Sequence, residues 1–373
     1  MYIDRVETFP CLYKVTKPYG DANGFKKYRV IYLIKITTRS GYIGWGECID
    51  WLPTLHKGFQ ERIIPYLLNK KATDHHKLVR VISKWHQRGA TGVSMALTEI
   101  VAKKANLSIC DLWGGAFHQT IPLYASFQSY ADEENWQMNH SLSHVGKTLQ
   151  EGYQMIKIKI GGRSIQEDQE HVELIQELVG STAKIAVDAN QSYDLATSRI
   201  WCDFLSKWNN ILWFEEPMPV DRTGDYQQLR SFSTIPIAGG ENLLSSSKFL
   251  PLLREGAVDI ITPDTMHEDG IDGFRDTMQL GRNFGIRTSP HAFDGALSRI
   301  YAMLALACSP PWSKMSSDDI EPLEWDVMDN PFTSIASIRP EKGDVKVPTG
   351  IGLGLELDQE RIDHYLWDGS TYI

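Results

Sequence analysis

The run MIKIKI at residues 155–160 decides the fold. Side chains of a strand alternate between its two faces, so Lys157 and Lys159 share one side and Ile156, Ile158 and Ile160 the other. Lysine is seldom buried without a partner, and a solvated edge strand would show the same alternation. The isoleucines and the Gly161-Gly162 pair instead suit a covered strand whose lysines face a closed interior. The sequence downstream supports that choice. KIAVD (184–188), ILWFEE (211–216), IPIAGGE (235–241), VDIITPD (258–264) and IRTSPH (286–291) are further short apolar runs. Amphipathic stretches lie between them, among them 166–179, 195–208 and 273–284. Strand alternating with helix predicts parallel β/α architecture.

Each run carries an ionisable residue at or near its end: Lys159, Asp188, Glu215, Glu241, Asp264 and His291. The spacings are 29, 27, 26, 23 and 27 residues, each close to one βα unit. A (β/α)8-type barrel builds its active site from the C-terminal ends of its strands, and six reactive tips in succession match that plan. An open doubly wound sheet has similar spacing but does not bring six tips to one point. No GxGxxG follows a first strand either.

Asp188, Glu215 and Glu241 are carboxylates on three consecutive tips. Brought together they repel, and each must gain a proton or share a cation. Their oxygens suit octahedral Mg²⁺, with positions left for water or substrate. The trio contains no His or Cys, which argues against zinc. Helix N-caps also favour Asp at βα junctions, but three successive carboxylates facing two lysines exceed what capping needs. Asp264 beside His291 predicts an acid/base dyad, because a carboxylate fixes the imidazole tautomer and raises its basicity. Glu324, in PLEWD, lies 33 residues further on and ends a candidate eighth strand. It reads either as a donor to a substrate oxygen or as a surface charge. Glu216 should face away from Glu215 or support it. His75-His76 reads as a solvated helical pair, and His267 and Glu268 have no evident task.

The N-terminal part reads differently. Residues 2–13 and 28–38 are strand-like, and GYIGWGEC (41–48) reads as the return arm of a hairpin. TKPYGDANGFKK (16–27) predicts a mobile loop from its Pro, Gly, Asp and Asn content. Helical periodicity runs from about 60 to 105. With 42% hydrophobic and 23% charged residues, the 373-residue chain is globular rather than disordered. A net charge of −9 without a Lys/Arg block argues against nucleic acid as partner. No apolar stretch is long enough for a membrane span, and Asp4 and Glu7 make the start unlike a signal peptide, so no membrane partner and a cytoplasmic location are expected. Five scattered cysteines without a CxxC predict neither a disulfide framework nor a zinc ribbon.

Taken together, these residues resemble the mandelate racemase subgroup of the enolase superfamily, the mandelate racemase/muconate lactonizing enzyme-like proteins. The resemblance spans nearly the whole chain. It rests on the K-x-K strand of Lys157 and Lys159, Val187-Asp188-Ala189-Asn190, Trp213-Phe214-Glu215-Glu216-Pro217, Gly239-Gly240-Glu241-Asn242, Pro263-Asp264 and Ser289-Pro290-His291, in that order. Gly44-Trp45-Gly46-Glu47 and Gly352-Leu353-Gly354 add to it. The resemblance implies an α/β protein with a (β/α)7β TIM-like barrel over 121–344. It also implies an α+β capping domain made from 1–120 and the tail 345–373, and a homo-oligomer. By position it makes Asp188, Glu215 and Glu241 the Mg²⁺ ligands, Lys159 one base and Asp264–His291 the other. Lys157 would help bind a substrate carboxylate and Glu324 would lie near the enolate oxygens. Asn190 is a further substrate-contact candidate. So are the capping-loop residues Tyr19 and Trp51, with Lys17 and His56 beside them. One departure is visible: the family's usual A-L-W-D stretch reads Ala96-Leu97-Thr98-Glu99, which bears on packing rather than on the metal site.

The implied chemistry is demanding. A C–H beside a carboxylate is a weak acid, and the second negative charge left by its removal must be stabilised where it develops. Mg²⁺ does this as a Lewis acid. Lys159 must be neutral to act as a base, and Lys157 and the metal are expected to bring its pKa toward about 7. Bases on opposite sides allow racemisation, epimerisation or β-elimination of a small carboxylate. The resemblance favours a sugar acid as substrate and dehydration as reaction, which makes the enzyme a lyase. A sugar-lactone cycloisomerase, an isomerase, is the nearest alternative, since IEPLEWD, NPF and the GLGLEL tail resemble members with that activity. A Schiff-base lyase using Lys159 as nucleophile and a barrel kept only for binding are readings from other classes.

Overall fold

The computed structural model describes residues 1–131, 138–315 and 319–372. Alternating apolar and polar residues build an antiparallel sheet from β1 (Ile3–Asp21), β2 (Gly24–Thr38) and β3 (Ile43–Cys48). Residues 16–27, expected as a mobile loop, are the far end of the β1–β2 hairpin instead. Pro18 has no N–H to donate, and the ladder is interrupted between Lys14 and Tyr19. It resumes with Tyr19 opposite Lys26 and ends at Ala22-Asn23, where Asp21 Oδ1 accepts the Asn23 N–H at 2.8 Å. The Asp, Asn and Gly that suggested a loop are turn residues of a long hairpin.

Helix Gln87–Ala105 lies flat on β3. A Cβ on Gly44 would stand 2.0 Å from the Ala96 carbonyl oxygen and one on Gly46 1.8 Å from that of Gly92, so only glycine admits this approach. Glu99, in the stretch that departs from the family pattern, is buried there. It accepts the Trp45 N–H at 2.6 Å and pairs with Lys103 at 2.8 Å, tying helix to strand.

The remaining strands form the second layer system. β4 (Thr120–Ser126) is followed by a two-residue strand, β5 (Tyr130–Ala131), which pairs with β1 through Tyr19–Ala131 and Gly20–Tyr130. Then come β6 (Met155–Lys159), β7 (Lys184–Asp188), β8 (Ile211–Glu215), β9 (Ile237–Gly239), β10 (Ile260–Ile261), β11 (Arg287–Thr288) and β12 (Leu323–Asp326). β4 and β6 to β12 are parallel and curl in the order β11-β10-β9-β8-β7-β6-β4-β12. Among the described residues one α-helix follows each of the parallel strands β4 and β6 to β11, giving the (β/α)7β form of a TIM barrel. Ser164 opens one of these helices with a full capping box to Glu167. No backbone ladder joins β11 to β12 among the described residues. Side chains bridge that seam: Ser289 Oγ–H donates to the Pro322 carbonyl at 2.7 Å, and Ala292 N–H to Glu324 Oε2 at 2.8 Å.

Register explains why two lysines tolerate the interior. Lys157 lies level with Ala186 and Trp213, and Lys159 with Asp188 and Glu215. Ile156, Ile158, Ile185, Val187 and Phe214 point the other way, into the main core under the helices. Inside the barrel, Tyr124, Ala186, Trp213, Ala238 and Ile260 form a small separate plug. The chain then adds β13 (Asp344–Lys346), antiparallel to β4, and returns to the first sheet. Leu12 N–H donates to Tyr365 O and Trp367 N–H to Pro10 O.

Candidate active site

The carboxylates of Asp188, Glu215 and Glu241 each offer an oxygen within 4.8 Å of the others, and all three are buried. An octahedral Mg²⁺ with ligands at about 2.1 Å spans about 4 Å between opposite oxygens, so small side-chain adjustments close the set around one ion. Glu241 Oε2 is buried without a hydrogen-bond partner, as an unused ligand atom would be. The donor set therefore fits a hard divalent metal.

Hydrogen bonds aim the triad. Asp188 Oδ1 accepts the Asn190 N–H at 2.9 Å, Glu215 Oε2 the Trp213 Nε1–H at 2.8 Å, and Glu241 Oε1 the Asn242 side-chain amide at 3.3 Å. Asn190 Nδ2 also reaches Glu241 Oε1 at 3.5 Å. Asn190, Gln191 and Glu216 have positive φ of 44°, 66° and 37°. Side-chained residues rarely adopt that region, and here three cluster just past two of the ligands. Glu216 supports the backbone beside Glu241. Its carboxylate accepts the Gln191 side-chain amide at 2.6 Å and the Gly240 N–H at 3.0 Å, and burial pushes its pKa to about 8.

Lys157 is 0% exposed and contacts Glu324 at 3.0 Å, Glu215 at 3.2 Å and Asp188 at 3.5 Å. Burial favours the neutral amine, but these carboxylates outweigh it and hold the pKa well above the ordinary value. Lys159 Nζ donates to Asp188 Oδ2 at 2.5 Å. Burial lowers its pKa and the Asp188 charge more than restores it, so the pKa lies above that of a free lysine. Burial raises Glu215 to about 7, against the pull of Lys157. For Asp188 the two lysines outweigh burial and lower it.

The opposite side carries His291. Its Nδ1 bonds Asp264 Oδ2 at 2.7 Å, and its Nε2 lies 3.4 Å from Glu241 and 3.6 Å from Glu324. Burial opposes the imidazolium, but Glu241 and Glu324 raise the pKa to about 10. Asp264 also accepts the Met266 N–H at 2.7 Å. Glu324 is buried as the second residue of β12 rather than ending it, and it is not a surface charge. Lys157 and His291 overcome its burial and hold it below the carboxylate range.

The structure thus brings Asp188, Glu215, Glu241, Lys157, Lys159, Asp264, His291, Glu324 and Asn190 together. It does not bring Tyr19 or Trp51 into hydrogen bonds with them. Tyr19 is buried; its hydroxyl accepts from Arg29 Nε at 2.6 Å and donates to the Asp329 carbonyl at 3.2 Å. Trp51 is 40% exposed and packs on Tyr372, with ring centroids 4.3 Å apart. His56 bonds Tyr32 at 3.1 Å.

Two supporting residues had no legible role in the sequence. His267 Nδ1–H donates to the Glu241 carbonyl at 2.6 Å, and its Nε2 accepts from Arg88 at 2.8 Å, so the capping helix steadies a triad strand. Glu47, at the end of β3, accepts the N–H groups of Ala296 and Ser298 at 3.0 and 2.9 Å. A capping-domain carboxylate thereby satisfies the start of the last barrel helix. An open cavity of about 1070 Å³ is at the other end of the barrel, lined by strand starts such as Lys184, Leu212 and Arg287, and holds none of the triad.

This architecture and site define a class, and sequence comparison agrees. Residues 7–114 match the mandelate racemase / muconate lactonizing enzyme N-terminal domain, and residues 142–361 the enolase C-terminal domain-like family. The chain belongs to the enolase superfamily, in its mandelate racemase subgroup. It is 26% identical to a D-galactarolactone cycloisomerase from Agrobacterium fabrum, covering 98% of this chain and 99% of that one. It is 29% identical to an arabinonate dehydratase from Saccharolobus solfataricus, covering 90% of each. The crystal structure of a 3,6-anhydro-D-galactonate cycloisomerase from Zobellia galactanivorans superposes with a TM-score of 0.83, at 24% identity over 99% of this chain and 100% of that one.

Proposed function

We propose that this protein is a Mg²⁺-dependent acid-sugar dehydratase, which removes the proton α to a sugar-acid carboxylate and then eliminates water from the neighbouring carbon. One observation carries the reading: a triad of buried carboxylates flanked by Lys159 on one side and by the Asp264–His291 pair on the other. Asp188, Glu215 and Glu241 would hold the metal, whose positive charge offsets the negative charge that develops on the substrate carboxylate. Lys159 takes the α proton once its hold on Asp188 is relaxed. Asp264 keeps the Nδ1 side of His291 occupied and leaves Nε2 facing the site, where it gives a proton to the departing hydroxyl. Lys157 and Glu324 pair beneath the site, so their charges reach the substrate carboxylate with little freedom to move.

Similarity to a lactone cycloisomerase over essentially both full chains favours a second reading. In a lactone the same β-elimination expels a ring oxygen that stays attached, so the product is an isomer and no water is lost. The residues keep their roles in that case. The test is a panel of sugar acids and sugar lactones, incubated with and without Mg²⁺ in D₂O. Keto-acid product from an open acid supports dehydration, and an isomer formed only from lactones supports the second reading. No keto-acid or isomer product, and no solvent deuterium at the α carbon of recovered substrate, from any panel member would overturn both. A Schiff-base lyase would instead be trapped by borohydride and unaffected by EDTA.

A further inference from the structure

Two thiols meet where the capping domain touches the barrel. Cys110 lies on the short helix Ile109–Leu112, and Cys308 ends helix Leu297–Ala307, which leads from β11 towards β12. Cys110 Sγ–H points at the Leu304 carbonyl, 3.9 Å away, in the last turn of that barrel helix. Cys308 Sγ–H points at the Cys110 carbonyl at 3.8 Å, so each thiol lies against the other's helix. The backbones are fixed relative to one another, because Phe117 and His118 both donate to the Ala307 carbonyl, at 2.8 and 3.2 Å.

Their surroundings differ from those of the other cysteines. Cys308 is partly exposed and borders a surface cavity of about 210 Å³ that Arg275 and Arg282 also line. Both guanidiniums are held in place, Arg275 over Trp113 at 4.5 Å and Arg282 over Trp312 at 4.2 Å. A neighbouring thiol donor and a fixed cation favour thiolate, and they lower the Cys308 pKa against the effect of burial. Cys11, Cys48 and Cys202 are buried, and burial raises Cys11 to about 12, Cys202 to about 11 and Cys48 well above the ordinary value.

We propose that Cys308 and Cys110 are a peroxide-reactive thiol pair that closes into a reversible disulfide between the barrel and the capping domain. The Cys308 thiolate attacks one oxygen of hydrogen peroxide, the O–O bond breaks, and hydroxide leaves as the sulfur is oxidised to a sulfenic acid. The Cys110 thiol then attacks that sulfur. Its proton departs with the sulfenic oxygen as water, and the disulfide forms. Two thiols and one peroxide become one disulfide and two waters, and a dithiol reductant reverses the change. This proposal is independent of the carbon chemistry proposed above.

The test uses the full chain treated with hydrogen peroxide, followed by unfolding, alkylation of remaining thiols and peptide mass spectrometry. Cys110 and Cys308 should lose their labels together, at least about tenfold faster than Cys11, Cys48 or Cys202. The linked peptide should lack two hydrogen masses and should return to free thiols with dithiothreitol. Cys110→Ser should leave a Cys308 sulfenic acid that dimedone traps, and Cys308→Ser should leave Cys110 unreactive. Equal label loss at all five cysteines, or Cys308 oxidised without linkage to Cys110 in the unmutated chain, overturns the proposal. The unmutated chain alone gives the deciding result, so a variant that fails to fold does not rescue it.

Discussion

The two flanks of the carboxylate triad are held by different means. On the lysine flank, β6 pairs with β7 over its whole length, from Met155 opposite Lys184 to Lys159 opposite Asp188. Its other edge is held by residues 127–130. Phe127 N–H donates to the Lys157 carbonyl at 3.0 Å, Lys159 N–H to Ser129 Oγ at 2.8 Å and Gly162 N–H to the Tyr130 hydroxyl at 3.0 Å. On the histidine flank β10 and β11 are two residues each, and β11 has no ladder to β12 among the described residues. Towards β10 the backbone holds, with Ser289 N–H donating to the Ile261 carbonyl at 3.0 Å and His291 N–H to the Pro263 carbonyl at 3.1 Å, but towards β12 only side chains do: Glu324 on the Ala292 N–H and Ser289 on Pro322, while Asp264 holds the His291 ring. A base on a strand laddered to its neighbour along its whole length should tolerate loss of one neighbouring side chain. A base whose ring is oriented by a single carboxylate should not.

The largest effects should come from the bases themselves. On whichever substrate the panel identifies, Lys159→Ala and His291→Asn should each lower kcat by about 10³-fold or more. The flanks should then separate. Lys159→Ala should abolish deuterium exchange at the α carbon, while His291→Asn should keep a residue of it, because the proton still leaves from the lysine side. Equal exchange in the two variants would mean that the flanks do not divide the acid and base work.

Next in size is Lys157→Met. It removes one cation from among Glu215, Glu324 and Asp188, all buried. Leaving buried charges uncompensated costs about 3–5 kcal/mol. Urea unfolding should show a loss of that order. Added Mg²⁺ should recover part of it, since binding to the folded form alone is stabilising. A variant as stable as the parent without metal would mean that the carboxylates here gain protons instead of needing Lys157.

The contrast between flanks is sharpened by two conservative changes made away from the reacting atoms. Tyr130→Phe removes a hydroxyl that donates to Asp168 at 2.6 Å and accepts from Gly162, just past Lys159. The β6–β7 ladder and Ser129 remain, so kcat should fall by less than about tenfold. Asp264→Asn removes the one side-chain partner of His291 Nδ1. The imidazole then loses its fixed tautomer, and kcat should fall by about 10²-fold or more. A larger loss from Tyr130→Phe than from Asp264→Asn would break the comparison.

What was legible in the sequence follows the same divide between local and distant causes. Strand tips are legible because the two-residue period and the βα spacing are local. Asp188, Glu215 and Glu241 stand out as acids closing apolar runs, and Lys157 and Lys159 as lysines in phase within one. Glu324 stayed ambiguous because its burial depends on a seam closed by residues 32 positions away in the chain. Glu47 has no local signature at all, since it caps a helix 249 residues distant. His75 was read as solvated with His76. Only His76 is, because His75 meets Ser94 of the neighbouring helix at 2.8 Å. The hairpin at 16–27 was misread because loop and tight turn use the same residues, and only tertiary pairing with β5 separates them. The Lys159 pKa required a distance to Asp188, which no spacing rule supplies.

The smallest effect concerns how the capping hairpin is pinned over the barrel. Asp294, just past His291, pairs with Lys26 at 2.7 Å and with buried Arg29. Burial would raise its pKa, but Lys26 and Arg29 outweigh that and hold it below the carboxylate range. A carboxylate with a depressed folded-state pKa stabilises the fold fully above its unfolded value of about 3.9, and that contribution is lost as pH falls through the folded value. Asp294→Asn should therefore cost a constant, modest amount of stability from neutral pH down to about pH 4. Below that the gap between parent and variant should narrow, because the unfolded parent takes up a proton there that the folded carboxylate does not. Thermal unfolding of both chains between neutral pH and about pH 3 reads this directly. A gap that stays constant across the whole range would mean that Asp294 acts by shape rather than charge. The hairpin would then be held by its own β1–β2 ladder and its pairing with β5, the same kind of ladder that secures β6 against β7.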